Sequence, residues 1–351
     1  MSPPEVPAPP APPAIPPSPW PLRLLRWSLR RLWDFFRVVM VAWATLAIYY
    51  SNLPWAGPRL ILAGAFCVFA IWALWVSRWR RRFAAFAMAY LAVLAWWTTI
   101  HPSHERPWRQ EVAVMPRATI DGDRVRISGF RNFEYRSRDD FTPHYEEREF
   151  LLSQLTSVDF YVSYWKEGPV GHTFLSFNFE NALPLCISIE TRPEEGEGFD
   201  PLASLFKQFE LIYVVGDERD LVRLRTDHRD EDVYLYRLRI PPEKARQLLL
   251  VYLERINNLA DRAEFYHLLS NSCTINIVRY ANRAGRTGRL DFRHVLNGLI
   301  DRYLYHAGFL DAALPFEELR QRSWINDDAK AAGDAPDFSE RIRSALPPRR
   351  S

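Results

Sequence analysis

The 351-residue sequence holds only three cysteines, Cys67, Cys186 and Cys273, and no pair is spaced as Cys-x-x-Cys. That scarcity excludes a disulfide-stapled scaffold and any multi-cysteine zinc site. An excess of charge of either sign is also missing, because 45 Lys and Arg stand against 42 Asp and Glu, a net charge of +3. A dedicated nucleic-acid binder would concentrate basic charge on one domain, so that class is set aside. The opening residues lack a charged start followed by an apolar run and do not read as a secretory signal. Global disorder is excluded by content: 48% of the residues are hydrophobic, 14% are aromatic and 13 are Trp.

The mean hydropathy of −0.23 averages over very different stretches. Residues 1–21 form a proline-rich tract that cannot build a core and is expected to be a disordered, polyproline-type tail. Residues 22–37 interleave Arg23, Arg26, Arg30 and Arg31 with Leu25, Trp27, Leu29 and Trp33, the pattern of a basic juxtamembrane helix on an anionic leaflet. Residues 38–100 contain three stretches without formal charge, Val38–Ala56, Leu60–Ser77 and Phe83–Ile100. Each is just long enough to span a bilayer as a helix, which predicts three transmembrane helices. The cluster Arg78-Trp79-Arg80-Arg81-Arg82 is expected on the cytoplasmic side together with the amino terminus. Three crossings then place residues 101–325 outside, in the periplasm of an inner-membrane, multi-pass protein. Residues 326–351, rich in Ala, Asp, Pro and Arg, are expected to be a flexible tail.

Within residues 101–325 the opening from Trp108 to Arg148 looks irregular, with a short strand candidate at Arg124–Ile127. Period-2 alternation then predicts strands over Val158–Trp165, His172–Phe179, Leu185–Thr191, Leu211–Val215 and Val233–Ile240. Pro241-Pro242 opens a helix through Asn257, and a second helix runs from Thr274 to about Ala284, closed by Gly285. Strands followed by helices indicate an α+β domain.

Cys273 stands at the start of that second helix, where free N–H groups and partial positive charge favour a thiolate. On the residues alone the plainer reading is a buried structural cysteine, and a disulfide with Cys186 is a third. Gly168, Pro169 and Gly171, just upstream of the His172 strand, would permit close approach by backbone or substrate. His172 shares a strand face with Phe174 and Ser176, and a histidine is the expected base for a thiol nucleophile. Glu190 lies on the following strand, placed either to hold the second ring nitrogen of His172 or to pair with Arg192 or Arg219. A metal site built from His172, Glu190 and Asp217 has no recognised ligand spacing, so neither metal nor cofactor is implied.

The ordered runs Gly171-His172-Thr173-Phe174-Leu175-Ser176-Phe177, Ser188-Ile189-Glu190-Thr191-Arg192, Glu210 to Asp220, Arg225-Thr226, Asp232 to Tyr236, and Glu264-Phe265-Tyr266 before Asn271-Ser272-Cys273-Thr274 resemble the N-terminal periplasmic domain family of the Lnb-type lipoprotein transacylases. The similarity covers roughly Trp108 to Asp311. The order of His before a helix-opening Cys also resembles the permuted papain-like, NlpC-related fold. The resemblance implies a thiol acyl-exchange enzyme, in which Cys273 attacks an ester carbonyl of a membrane lipid or lipoprotein and His172 activates the thiol. Asn271, Ser272, Thr274, Ser176 and Tyr266 become candidates for binding substrate or the oxyanion. The family motif reads Asn-Cys-Thr-Thr, whereas Ser272 and Ile275 stand at two of those positions here, and the membrane helices precede the domain instead of following it. A cell-wall cysteine amidase or peptidase and a non-catalytic envelope scaffold are the alternative readings, and no partner protein is indicated.

Overall fold

The computed structural model describes residues 20–76, 80–166, 168, 170–285, 291–310 and 314–347, so nearly all of the proline-rich tract expected over 1–21 lies outside the described residues. The chain divides into two compact units, Met1–Thr99 and Ile100–Ser351.

The first unit is a set of helices: α1 (Trp20–Tyr49), α2 (Ala56–Ile71), continued by a π-turn over Trp72–Val76, and α3 (Arg80–Thr99). Two of them, not the three expected, are long and apolar enough to cross a membrane, Leu22–Tyr49 and Ala56–Val76. The third helix forms, but three arginines open it, Trp96-Trp97-Thr98-Thr99 close it, and alanines with Tyr90 fill its middle. Its transfer out of water is correspondingly weaker. The basic segment 22–37 is not a separate surface helix either, because α1 runs unbroken from Trp20 to Tyr49. The helices meet through small and aromatic residues, with Ala44, Ala63, Ala70, Ala73, Phe66 and Phe86 buried together. Leu60, Ile61 and Val68 stay exposed, as side chains facing lipid would be.

The second unit is built on an eight-stranded sheet. Its strands are β1 (Arg117–Asp121), β2 (Arg124–Arg131), β5 (Tyr145–Leu151), β6 (Leu155–Tyr164), β7 (His172–Phe179), β8 (Leu185–Arg192), β9 (Glu210–Asp217) and β10 (Asp232–Arg237), with β3 (Glu134–Tyr135) and β4 (Phe141–Thr142) forming a separate hairpin. The order is β1-β2-β9-β8-β7-β6-β10, with β5 paired to β2, and every pairing is antiparallel except β2 with β9. The stretch from Trp108 to Arg148, expected to be irregular, thus supplies β1, β2 and most of β5.

Helices cover both faces. On one side lie α5 (Pro242–Asp261) and α6 (Cys273–Arg283); α5 turns Leu248, Leu249, Tyr252, Leu253 and Ile256 inward, the spacing of a single apolar stripe. Tyr252 meets Phe177 of β7 with ring centroids 5.8 Å apart. The other face carries Tyr161, Phe174, Cys186, Ile212 and Val214, and is covered by α4 (Glu218–Arg223), α9 (Asn326–Ala332) and α10 (Phe338–Arg341). Helices α7 (Ile300–His306) and α8 (Phe316–Ser323) complete the unit.

The segment after Asn326 is therefore not a frayed tail. Ile325, Ala329, Phe338, Ile342 and Leu346 are buried in the core. Arg343 reaches into the sheet, where it bonds Asp159 (2.9 Å) and Glu218 (2.8 Å), two carboxylates with no exposed surface. The start of the unit is tied down as well. The Ser103 N–H and the Arg106 guanidinium both reach Glu210 Oε1, at 3.1 and 2.9 Å, and Lys207 donates to the Ile100 carbonyl at 3.0 Å.

Candidate active site

β7 is a central strand between β6 and β8, buried on both faces because helices cover both sides of the sheet, and its first residue, His172, pairs with Ser163 near one end of it. Gly171, just before it, packs so closely that a Cβ there would sit 2.9 Å from the Ser163 carbonyl oxygen. The close approach expected of the Gly168–Gly171 stretch is thus backbone against backbone. Among its glycines, Gly168 would meet nothing within 4 Å, and Pro169 lies outside the described residues.

The His172 ring is held on its Nε2 side. That nitrogen shares a hydrogen bond with Ser188 Oγ at 2.7 Å and stands 3.9 Å from Glu190 Oε1. Ser188 and Glu190 are two residues apart on β8 and so share a face. Glu190 pairs with neither Arg192 nor Arg219. Arg225, buried beneath it, donates to the same Oε1 at 2.7 Å and lies 4.7 Å from the Phe174 ring centroid. Burial alone would raise the Glu190 carboxyl, but Arg225 and then His172 hold it well below the usual carboxylate range. A fixed negative charge therefore faces the far side of the imidazole.

Cys273 is the first residue of α6, whose Ser272 N-cap is extended at φ −94° and ψ 173°. Gly285 lies just past its C-terminus at φ +96°, a conformation that glycine adopts without strain. The first N–H groups of a helix have no intrahelical acceptor, so they gather at the sulfur end. Burial pushes the Cys273 thiol up. The charge and hydrogen bond of His172, with further hydrogen bonds from Thr173, outweigh that and bring it down from 9.0 to about 6. With Nε2 engaged by Ser188, the ring nitrogen left for the sulfur is Nδ1. The positive charge of His172 is thus what holds Cys273 as a thiolate at neutral pH.

The other residues singled out in the sequence divide. Thr274 is in the site: its Oγ1 lies 2.8 Å from Thr173 Oγ1 and 3.8 Å from Cys273 Sγ. Tyr266 is there too, its hydroxyl in hydrogen-bonding contact with Cys273, and burial first, then the neighbouring thiol, push that hydroxyl well up, so it stays a neutral donor. Ser272 caps the helix by backbone alone. Asn271 faces away from the sulfur, donating to the Phe265 carbonyl (2.8 Å) and accepting from Asn276 (2.9 Å). Ser176 sits further along β7 opposite Asp159 and Cys186, beside Glu218. Asp217 caps α4 and pairs with Arg148. Among the described residues, no cluster of three or more His, Cys, Asp or Glu is arranged to hold a metal ion. All three cysteines are free, and Cys186 lies on β8 with its side chain in the core.

Three site residues escape the sequence reading. Ser188 could have been found from its alternation with Glu190, and Arg225 from its place in the motif run. Asn297 has no such signal. Its amide nitrogen lies 2.6 Å from the Gly171 carbonyl, 3.1 Å from Thr274 Oγ1 and 3.7 Å from Cys273 Sγ, while its Oδ1 accepts the Gly171 N–H at 2.9 Å.

Residues 141–301 match the family model of the Lnb N-terminal periplasmic domain, the family that the sequence motifs resemble. The matched segment holds every residue of the site, from His172 to Asn297. No curated protein matches the chain. No solved structure matches it either.

Proposed function

We propose, from the premise that residues 141–301 are a Lnb N-terminal periplasmic domain, that this chain is a membrane-anchored thiol acyltransferase acting at the periplasmic face of the inner membrane. The observation that carries the reading is the buried Cys273 thiol, brought down to about 6 by His172 at the start of α6. A desolvated thiolate beside a histidine is the activated form of a nucleophile. The order of a strand-borne histidine before a helix-opening cysteine also supports a permuted papain-like arrangement.

In the first half-reaction the Cys273 thiolate attacks the ester carbonyl of a lipid or lipoprotein. The carbon–sulfur bond forms, and the negative charge on the carbonyl oxygen is met by the N–H groups opening α6 and by the Tyr266 hydroxyl. Collapse breaks the carbon–oxygen bond, and protonated His172 gives its proton to the departing alkoxide. In the second half-reaction an acceptor amine or hydroxyl attacks the thioester, His172 takes its proton, and the thiolate leaves. Glu190, kept ionised by Arg225, stabilises the positively charged imidazole before the alkoxide leaves and again once the acceptor's proton has been taken. Anchoring to the membrane raises the effective concentration of a lipid donor.

The test is incubation of the purified full-length protein with phospholipid and a diacylated lipopeptide, followed by intact mass measurement. A hydroxylamine-sensitive acyl adduct on Cys273, absent from Cys273→Ala and from His172→Ala, is the expected result. An unmodified protein and unchanged lipopeptide would sink the acyltransferase reading. Loss of folded protein in both variants, without any adduct in the wild type, would favour a scaffold.

A further inference from the structure

Four segments of the chain meet at the end of the sheet where His172 and Cys273 lie. β6 ends there at Tyr164, β8 ends there at Arg192, the turn before α6 arrives there, and the residues around Asn297 close the ring. Each segment exposes large apolar side chains: Trp165, Phe199, Leu202, Leu269, Leu296 and Leu299 leave between 38% and 52% of their surface open.

Contacts join these segments into one rim. The Trp165 and Phe199 rings stand edge to face with centroids 6.2 Å apart, and Phe199 meets Phe209, whose carbonyl accepts the Tyr266 N–H at 3.0 Å. Tyr164, next to Trp165, donates its hydroxyl to the Gly298 carbonyl at 3.0 Å, between Leu296 and Leu299. Leu269 lies on the turn that His267 and Asn271 close, just before Cys273. Single exposed apolar residues are ordinary, but a contiguous group of them marks an interaction surface.

The place where the chain enters the domain points to the occupant. Ile100 is the first residue of this unit, and its carbonyl accepts from Lys207, which lies in the same β8–β9 loop as Phe199 and Leu202. Ser103 donates to Glu210, the first residue of β9, which stands opposite Arg192 at the end of β8. The chain therefore enters at the end of the sheet that bears the rim. Just before Ile100, α3 closes with Trp97, whose ring lies 5.6 Å from that of Trp43 in the membrane-spanning stretch of α1. Tryptophans at the end of such a helix belong at the level of the lipid headgroups. Charge beside the rim is of both signs, with Lys166 and Glu195 exposed and Arg293 paired to Asp291 at 2.8 Å. Attraction thus rests on the apolar side chains and needs no anionic surface.

We propose that this rim rests in the periplasmic leaflet of the bilayer, its leucines and aromatic rings at the boundary between headgroups and acyl chains, so that the mouth of the site opens onto lipid. The proposal rests on the membrane-anchored part of the reading above, not on acyl transfer, and adds the face by which the domain meets its membrane.

The experiment uses the full-length protein carrying Cys67→Ala and Cys273→Ala, reconstituted in phosphatidylcholine bilayers. A spin label is attached in turn at Leu202→Cys, Leu269→Cys, Leu299→Cys and, as the control, Leu183→Cys, which is exposed in the turn between β7 and β8 at the opposite end of the sheet. Collisions with oxygen, which concentrates in lipid, are compared with collisions with a water-soluble nickel chelate. The ratio at the rim is expected to exceed that at Leu183 by at least about tenfold, because a leucine-sized group prefers hydrocarbon to water by ~1.5–3 kcal/mol. Rim labels as accessible to the chelate as Leu183 overturn the proposal. Rim labels shielded from both reagents overturn it as well, since a protein and not lipid would then cover the rim. A carbonate wash separates the two readings: release of the protein sinks membrane anchoring and the rim together, whereas aqueous rim labels on a protein that stays in the bilayer sink the rim alone. Cleavage of each labelled protein by a protease at the wild-type rate verifies its fold, and three positions on three segments keep the result from resting on any one of them.

Discussion

Asn297 and Gly171 exchange two hydrogen bonds, from the Gly171 N–H to Asn297 Oδ1 and from the Asn297 amide to the Gly171 carbonyl. A side-chain amide thereby acts as one more partner for the residue before His172, and the same amide nitrogen lies near Thr274 and Cys273. This group ties the strand that carries the base to the helix that carries the thiol, beside the direct contact between the Thr173 and Thr274 hydroxyls. Asn297→Ala leaves the buried Gly171 peptide unpaired, so it is expected to cost about 1–3 kcal/mol of stability. It is also expected to raise the pH midpoint of Cys273 alkylation, as the sulfur and the imidazole separate. An unchanged midpoint in a folded variant would show that Asn297 has no part in positioning them.

The depressed thiol makes alkylation by iodoacetamide the direct reporter of the pair. In the wild type the rate should rise through about pH 6, because the thiolate is the reactive form. In His172→Gln burial persists without the compensating charge, so the midpoint moves to the ordinary 9.0 or higher. At pH 7 the thiolate fraction, and the rate with it, then falls by about two orders of magnitude. Equal profiles for the two proteins would refute activation by His172.

How much of this was legible in the sequence follows from which forces act locally. β7 and β8 could be located because alternation persists along each strand, and α6 because a glycine follows its end. Their register was not legible, yet it is what puts Ser188 and Glu190 on the Nε2 side of His172. Glu190 found Arg225 rather than Arg192 because Arg192, although on the same face of β8, sits at the strand's end and gives its guanidinium to the Val112 and Ala113 carbonyls. Helices α9 and α10 are short and polar, and neither would persist alone. Their order comes from the apolar sheet face beneath them, a tertiary cause that composition does not display. Asn297 contacts a residue 126 positions earlier, and no periodic pattern encodes that.

Glu210 offers a stability test. Burial, set against Arg106, raises its carboxyl from 4.5 to about 7. A carboxyl raised on folding contributes stability that is complete below its unfolded value and is lost as pH climbs through the folded one. Wild-type stability should therefore decline between about pH 4.5 and 7, relative to Glu210→Gln, by up to about 3 kcal/mol. Urea unfolding of both proteins across that window measures the difference, and parallel curves would contradict it.

Arg343→Ala removes the cation beside Asp159 and Glu218, which keep neutral donors in Asn178 and Tyr161 and have no access to water to compensate for the charge. A loss of about 3–5 kcal/mol is expected, the usual result of leaving buried charge unpaired. Thermal unfolding checks it. A variant as stable as the wild type would mean that the carboxylates are not charged in the folded protein.

The same arginine sets an order of events in the life of the chain. Asp159 leaves the ribosome 184 residues before Arg343, so the strands that carry the histidine and its carboxylate are complete long before their central charge is neutralised. The cation that completes this buried cluster is thus translated well after every residue of the site, from His172 to Asn297.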